Sequence, residues 1–272
     1  MPEFLFLPIK YRTFLIFTLL LPLVTGCGNE VDRKASRPYA VWDHYLGDAA
    51  SSQYSSLRQI DTSNVGRLKK AWEYATGDAG TENNTQIQCN PIIIDSTLFG
   101  STPALKLFAL HAATGEEKWV FDPFSDNKEI SGMGVNRGLS YWPGDKDHKP
   151  RLLYPVSKEL YAVDPQTGKP IASFGDNGSI SLSKGLDIDP ETSSISATSP
   201  GIVYQDIIIM GSRTPESQGA SPGDIRAYNV KTGEVEWVFK TIPTEGDFGY
   251  DPWPPHPRKK FGAANSWAGL SL

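Results

Sequence analysis

Cysteine, basic charge and long apolar runs are all scarce in this chain of 272 residues. Its two cysteines are too few for the disulfide framework that small secreted domains use. Its formal net charge of −5 leaves no basic face, so we expect no nucleic-acid partner. The N-terminal apolar run, residues 13–24, contains Pro22 and falls short of the roughly 20 apolar residues that a membrane-spanning helix needs. The chain is nevertheless 39% hydrophobic, which is enough to bury a sizeable core.

The same apolar run has the surroundings of a targeting segment. Lys10 and Arg12 precede it, and small residues follow it, an order typical of a secretory signal peptide. The stretch Val-Thr-Gly-Cys that ends at Cys27 also resembles a bacterial lipobox, in which this cysteine is lipidated. The alternative for the run is a transmembrane anchor. With Cys27 lipidated, Cys89 remains as a free thiol, which we expect to be a small core residue in a strand.

These signals divide the chain into three parts. We predict a lipoprotein signal peptide at residues 1–26, a lipidated polar tether at residues 27–38 and a folded part at residues 39–272. The mature protein is then expected on the periplasmic side of a bacterial membrane, with the outer membrane as the site of its lipid anchor.

One hairpin pattern occurs three times in the folded part. Residues 109–121 and 227–239 each read as two alternating strands around a Thr-Gly turn, as expected of a β-hairpin. Residues 162–174 are a degraded copy, with Ala172 in place of the tryptophan. A repeat of roughly 50 to 65 residues cannot bury its own apolar face, so neighbouring copies must stack, as the blades of a propeller do. The turn glycines of the three copies are Gly115, Gly168 and Gly233.

The strand patterns around these hairpins predict an all-β chain with three clear blades. The first extends to residue 121, the second covers residues 136–174 and the third covers residues 202–240. The second is expected to end in a strand at residues 170–174, and a further strand is expected at residues 70–74. Residues 175–200 read as a long insertion, and loops of that length are often functional. Trp119 and Trp237 are predicted to plug the contacts between blades.

Four stretches in the same order resemble one enzyme family. They are residues 42–78, 135–145, 197–200 and 262–269, and together they are similar to the pyrroloquinoline-quinone (PQQ)-dependent, or quinoprotein, dehydrogenases. The resemblance implies an eight-bladed β-propeller, of which residues 42–272 would form roughly the first half. The chain is then an incomplete set of about three to four blades.

The resemblance also implies a site for PQQ and Ca²⁺. PQQ is a flat tricarboxylate, so its site should offer a cation, hydroxyl donors and an aromatic floor, and the Arg137 guanidinium matches a carboxylate bidentately. Trp267 corresponds to the tryptophan that stacks on the planar ring, and Glu216 to a carboxylate ligand of Ca²⁺. Each of these residues also has a structural alternative: a surface arginine, a core tryptophan and a solvated loop acid. The remaining implied cofactor contacts are Gln88, Thr198, Ser212 and Asn265.

Two departures from the family pattern shape the expected function. Ser131 and Gly132 stand where the alcohol-oxidising branch has adjacent cysteines, which favours the branch that resembles glucose and quinate dehydrogenases. The family's general-base aspartate and the asparagine that completes the Ca²⁺ shell are expected beyond Leu272. No catalytic residue is therefore predicted within this chain, which we expect to be inactive on its own.

Two functional hypotheses remain open at this point. In the first, the chain is part of a dehydrogenase that oxidises a hydroxyl of a sugar, polyol or alcohol and passes electrons to a membrane quinone or a cytochrome. In the second, it is a cofactor-free propeller lipoprotein, a scaffold of the outer-membrane barrel-assembly type. Arg137 and Trp267 within their motifs favour the first hypothesis, because a scaffold needs neither residue.

Overall fold

Three four-stranded antiparallel sheets form the regular part of the computed structural model, which describes residues 39–80, 86–125, 134–186, 193–217 and 219–272. Residues Tyr39–Leu272 form one compact unit. The predicted signal peptide and tether, including Cys27, lie outside the described residues, as do Ser131 and Gly132. The strands are β1 (Ile92–Ile94), β2 (Thr97–Ser101), β3 (Leu107–His111), β4 (Glu117–Phe121), β5 (Ser140–Trp142), β6 (Arg151–Val156), β7 (Glu159–Val163), β8 (Ser179–Ser181), β9 (Ile202–Tyr204), β10 (Ile207–Met210), β11 (Ile225–Asn229) and β12 (Val235–Phe239).

Each sheet is a meander in which every strand pairs with the next one along the chain. We call the sheets β1–β4, β5–β8 and β9–β12 blades 1, 2 and 3. This confirms the predicted all-β, propeller-like architecture, since sequential four-stranded sheets are the units of a propeller.

Blade 2 is buried on both faces because its neighbours cover it from either side. All six residues of β6 are buried. Side chains in a strand alternate between faces, so Leu152 and Tyr154 join a core shared with blade 1, whereas Leu153 joins a core shared with blade 3. The stacking of repeats that the sequence requires is therefore achieved by two cores, one at each blade junction.

A tryptophan closes the junction between blades 1 and 2. The Trp119 indole lies against Gly168, where an added Cβ would come within 2.6 Å of the ring. Its Nε1 donates a hydrogen bond of 3.1 Å to the Pro165 carbonyl, three residues before that glycine. The Trp72 indole covers Gly115 in the same way, and its Nε1 donates to the Ala112 carbonyl at 3.2 Å. The predicted plugging role of Trp119 is thus confirmed.

The junction between blades 2 and 3 is built differently because blade 2 has Ala172 instead of the repeat tryptophan. Ile180 covers Gly233, with its Cγ2 2.6 Å from the position of an added Cβ. The Val230 carbonyl, three residues before Gly233, accepts a hydrogen bond of 2.9 Å from the Arg151 guanidinium. A buried arginine and an isoleucine therefore replace the packing and the hydrogen bond of one indole.

Two predicted strands are absent from the described residues, and one predicted plug is exposed. Residues 70–74 have no ladder partner, and residues 170–174 form a turn with one bridge between Pro170 and Val163. Proline has no N–H to give to a ladder, and the fourth strand of blade 2 is instead β8, inside the predicted insertion. Trp237 is 40% exposed and covers no turn glycine of the described residues.

The segment after blade 3 contains one helical turn, α1 (Pro257–Lys260). Arg258 of α1 forms a bidentate ion pair with Asp224, at 3.0 and 2.7 Å; the Asp224 side chain is buried and that of Arg258 is 9% exposed. This pair ties the segment to the loop before β11. Nowhere in the described part does the chain form a helix with the length and apolar character that a membrane crossing requires.

Candidate functional site

Most of the predicted site residues line one pocket of about 190 Å³. The pocket lies where residues 135–137, the segment before β9 and the chain end meet. Five predicted site residues line this pocket: Gln88, Arg137, Thr198, Glu216 and Trp267. The other lining residues are Val135 and Arg213.

Backbone hydrogen bonds place Arg137 between two segments of the chain. Its N–H donates to the Thr198 carbonyl at 2.9 Å, and its own carbonyl accepts from the Asn90 N–H at 2.8 Å. The side chain of the buried Asn136 fixes the local turn, because its Oδ1 accepts from the Gly138 N–H at 2.8 Å and its Nδ2 donates to the Pro155 carbonyl at 2.7 Å. The position of Arg137 therefore does not depend on its own side chain.

Trp267 lies opposite Arg137 and forms an aromatic wall of the pocket. The guanidinium carbon of Arg137 lies 5.0 Å from the centroid of the indole, a cation–π contact. The Trp267 side chain is 44% exposed, and its carbonyl accepts a hydrogen bond of 2.6 Å from the Ser199 hydroxyl. Gly211 lets this segment approach blade 3, since a Cβ there would collide with the Ser266 carbonyl.

Thr198 contributes a hydroxyl oxygen that has no hydrogen-bond partner among the described residues. Its side chain is 7% exposed, and its Oγ1 is buried without a hydrogen-bond partner among the described residues. A buried hydroxyl without a partner costs about 1–3 kcal/mol, so the Thr198 hydroxyl in the wall of this pocket remains able to bond a ligand or a water molecule.

Ser212 and Asn265 do not line this pocket. Ser212 is buried at the end of blade 3, and the Asn265 side chain donates to the Thr214 hydroxyl at 2.7 Å. The chain passes so close there that a Cβ on Gly223 would collide with Asn265. Asn265 thus holds the segment that carries Trp267, and cofactor contacts by these two residues stay predictions.

The charges of the pocket are not paired with one another. Arg137, Arg213 and Glu216 make no ion pair with any residue that the structure describes. Two positive side chains and one negative side chain give the pocket a net charge of +1, whereas the chain as a whole is acidic. The pocket is therefore suited to an anionic ligand.

Sequence reasoning did not identify Arg213. The sequence feature that could have identified it is its position directly after Ser212, at the end of a buried strand, where a charged side chain has to leave the core.

Among the described residues, no cluster of three or more His, Cys, Asp or Glu could hold a metal ion. Glu216 is the one carboxylate of the pocket lining.

The chain is similar in sequence to a family of known enzymes. Residues 42–272 match the family described as PQQ, glucose/ethanol/alcohol dehydrogenase, beta-propeller domain. The chain is 31% identical over 255 residues to the quinate/shikimate dehydrogenase (quinone) of Acinetobacter baylyi, a match that covers 85% of this chain and 31% of that protein. It is 35% identical over 222 residues to quinoprotein glucose dehydrogenase A of Acinetobacter calcoaceticus, which covers 74% of this chain and 28% of that protein.

A solved structure of a quinohemoprotein dehydrogenase also matches this chain. The crystal structure of the quinohemoprotein alcohol dehydrogenase from Comamonas testosteroni matches with a TM-score of 0.60 and 25% identity, over 78% of this chain and 29% of that one. The chain therefore spans a little under a third of the length of these relatives.

Proposed function

The chain belongs to the family of PQQ glucose/ethanol/alcohol dehydrogenase propellers, and we propose that it forms the cofactor-binding wall of an enzyme that oxidises a hydroxyl of a sugar, polyol or alcohol. The convergence of Arg137, Thr198 and Trp267 on one pocket with a net positive charge carries this proposal. A cofactor-free scaffold would need none of the three.

The side chains of the pocket fit PQQ in chemical type. Trp267 offers an exposed aromatic face, and Arg137 offers a fork of N–H donors that matches a carboxylate. The hydroxyl of Thr198 has no other partner among the described residues, and Gln88 adds an amide that can donate or accept. When bound, PQQ supplies the two-electron acceptor that the oxidation of a hydroxyl-bearing carbon requires.

The role of these residues is binding and orientation. Arg137 and Thr198 would fix the ligand laterally, and Trp267 would exclude water from one of its faces. Glu216 is the one carboxylate of the pocket lining and is proposed below as a metal ligand, so we assign removal of the substrate's hydroxyl proton to no residue of the lining. Electrons would then pass to a membrane quinone or a cytochrome.

Calcium would need more ligands than this pocket provides. Ca²⁺ takes six to eight oxygen ligands, whereas the lining offers the Glu216 carboxylate, the Gln88 amide oxygen and the Thr198 hydroxyl. We propose Glu216 as one ligand only, with the others supplied by PQQ and by residues outside the pocket lining.

The similarity to glucose and quinate/shikimate dehydrogenases supports a sugar or cyclic polyol as substrate class. The pair Ser131-Gly132, in place of adjacent cysteines, supports the same branch.

Titration of the purified chain with PQQ tests the proposal. We expect quenching of tryptophan fluorescence that saturates with PQQ and is stronger with Ca²⁺ than with a chelator. Dye-linked oxidation of glucose or quinate should appear only when the rest of a family propeller is supplied. Absence of PQQ binding under both conditions, together with co-purification of outer-membrane assembly proteins, would instead favour the scaffold.

We further propose that Cys27 is lipidated and holds the protein at the periplasmic face of the outer membrane. In a bacterial host grown with labelled palmitate, the wild-type chain should carry label and fractionate with the outer membrane. Cys27→Ala should lose both properties while it retains PQQ binding. Label on the Cys27→Ala variant would contradict the assignment.

A further inference from the structure

Two arginines that line the same pocket are attached to one short segment, residues 196–198. Arg137 is attached to it through its N–H and the Thr198 carbonyl, at 2.9 Å. Arg213 is attached through two backbone bonds with Ser196: its N–H donates at 2.7 Å and its carbonyl accepts at 2.9 Å. Both guanidiniums are therefore carried on a backbone that hydrogen bonds fix independently of the side chains.

Several other cations of the described residues are paired with carboxylates. Lys231 contacts Asp145 at 2.9 Å and Asp206 at 2.6 Å, and Arg258 contacts Asp224 at 2.7 Å. Neither Arg137 nor Arg213 has such a partner among the described residues. Two like charges in one pocket repel each other, and Glu216 balances only one of them, so a bound anion would stabilise their arrangement further.

We propose that Arg213 is a second carboxylate-binding cation of this pocket, so that the ligand must present at least two carboxylates, one to Arg137 and one to Arg213. The inference rests on the proposed function, because it concerns the same ligand. It defines a specificity that Arg137 alone does not provide: a planar monoanion would satisfy one guanidinium and leave the other unpaired. Arg213 would therefore select for the number of carboxylates and Trp267 for the planar ring.

Binding of PQQ and of its trimethyl ester separates the ionic role of Arg213 from a structural one. The full chain, Arg213→Gln and Arg137→Gln are titrated with both compounds in a chelator-containing buffer at several salt concentrations, and Arg67→Gln serves as the control. Arg67 is exposed in a short 3₁₀ turn away from the pocket. Tryptophan fluorescence and equilibrium dialysis give the dissociation constants.

We expect Arg213→Gln to weaken PQQ binding about tenfold to 100-fold, because it removes one charge-assisted contact. It should change the binding of the ester less than threefold, since the ester has no carboxylate charge. The salt dependence of PQQ binding should also become shallower in the variant.

Equal losses for PQQ and its ester would overturn the proposal, because they would mean that Arg213 only supports the fold. An unchanged PQQ affinity in Arg213→Gln, with a loss in Arg137→Gln, would also overturn it but would leave the proposed function intact. If the wild-type chain binds neither compound, the proposed function itself fails.

Discussion

Replacing Arg137 by alanine is expected to lower the affinity of the chain for PQQ at least 100-fold, which corresponds to about 2.7 kcal/mol. Arg137 is the pocket cation that contacts the aromatic wall, with its guanidinium carbon 5.0 Å from the Trp267 centroid. A bidentate guanidinium–carboxylate contact in a partly buried site is roughly twice as strong as a neutral hydrogen bond. Its removal also leaves the net charge of the lining at zero, because Arg213 and Glu216 then balance.

The alanine variant should nevertheless fold, so the loss can be assigned to the site. The backbone bonds of Arg137 with Thr198 and Asn90 do not involve its side chain. What the variant loses in the free protein is a long hydrogen bond of 3.4 Å to the Thr198 carbonyl and a cation–π contact worth about 0.5–1 kcal/mol. Urea unfolding of both proteins checks this expectation, and PQQ titration measures the affinity.

Lysine at the same position is the matched variant. Arg137→Lys keeps the charge but not the planar fork, and we expect it to bind PQQ with an affinity between those of the wild type and Arg137→Ala. If Arg137→Ala binds PQQ as the wild type does, the pocket is not the cofactor site. The cofactor-free scaffold, which is indifferent to Arg137, would then become the better hypothesis.

The repeated hairpins made most of the fold predictable. Alternating residues around a Thr-Gly turn can form few structures other than a hairpin, and their repetition predicted the three blades in order. The fourth strand of blade 2 was missed because Ser179–Ser181 is short and polar and follows two glycines with positive φ, Gly175 and Gly178. Such a segment has the composition of a loop, and only its ladder with β7 makes it a strand.

The site residues that lie in recognisable sequence motifs could be predicted. Arg137, Thr198 and Trp267 belong to stretches with a recognisable pattern, and the structure brings all three to one pocket. Arg213 stands between two predicted site residues, Ser212 and Glu216, but it was not singled out, because an arginine on an exposed loop is usually a solvated charge. Its significance follows from the backbone bonds with Ser196, which join residues distant in sequence.

The junction between blades 2 and 3 illustrates a contact that composition could not reveal. Arg151 follows Pro150 at the start of β6, a position where an exposed charge is the ordinary expectation. Its side chain is instead 2% exposed and crosses to blade 3, where its Nη1 donates to the carbonyls of Val230 and Lys231 at 2.9 and 3.1 Å. Its guanidinium carbon also lies 5.2 Å from the Trp142 centroid.

Arg151→Met should therefore lower the free energy of unfolding by about 3 kcal/mol. Methionine fills a similar volume and keeps the apolar contacts, but it leaves two carbonyl oxygens without their donor. Charge-assisted hydrogen bonds are worth about 1.5–3 kcal/mol, and a desolvated cation–π contact adds up to about 2 kcal/mol. The gain from removing a buried charge offsets part of this loss. Urea denaturation measures the change, and Arg213→Met, which alters an exposed arginine, should stay within about 0.5 kcal/mol of the wild type.

The blade that loses protection in Arg151→Met shows whether the substitution weakens the junction between blades 2 and 3 or the whole core. Val230 and Lys231 belong to the hairpin between β11 and β12, so loss of the Arg151 bonds should loosen blade 3 before blade 1. Hydrogen exchange should then show reduced protection of the β9–β12 amides in Arg151→Met, with the β1–β4 amides close to their wild-type rates. Equal loosening of all three blades would contradict the specific role of Arg151. A stability equal to that of the wild type would show instead that Ile180 and the core shared by blades 2 and 3 close the junction without Arg151.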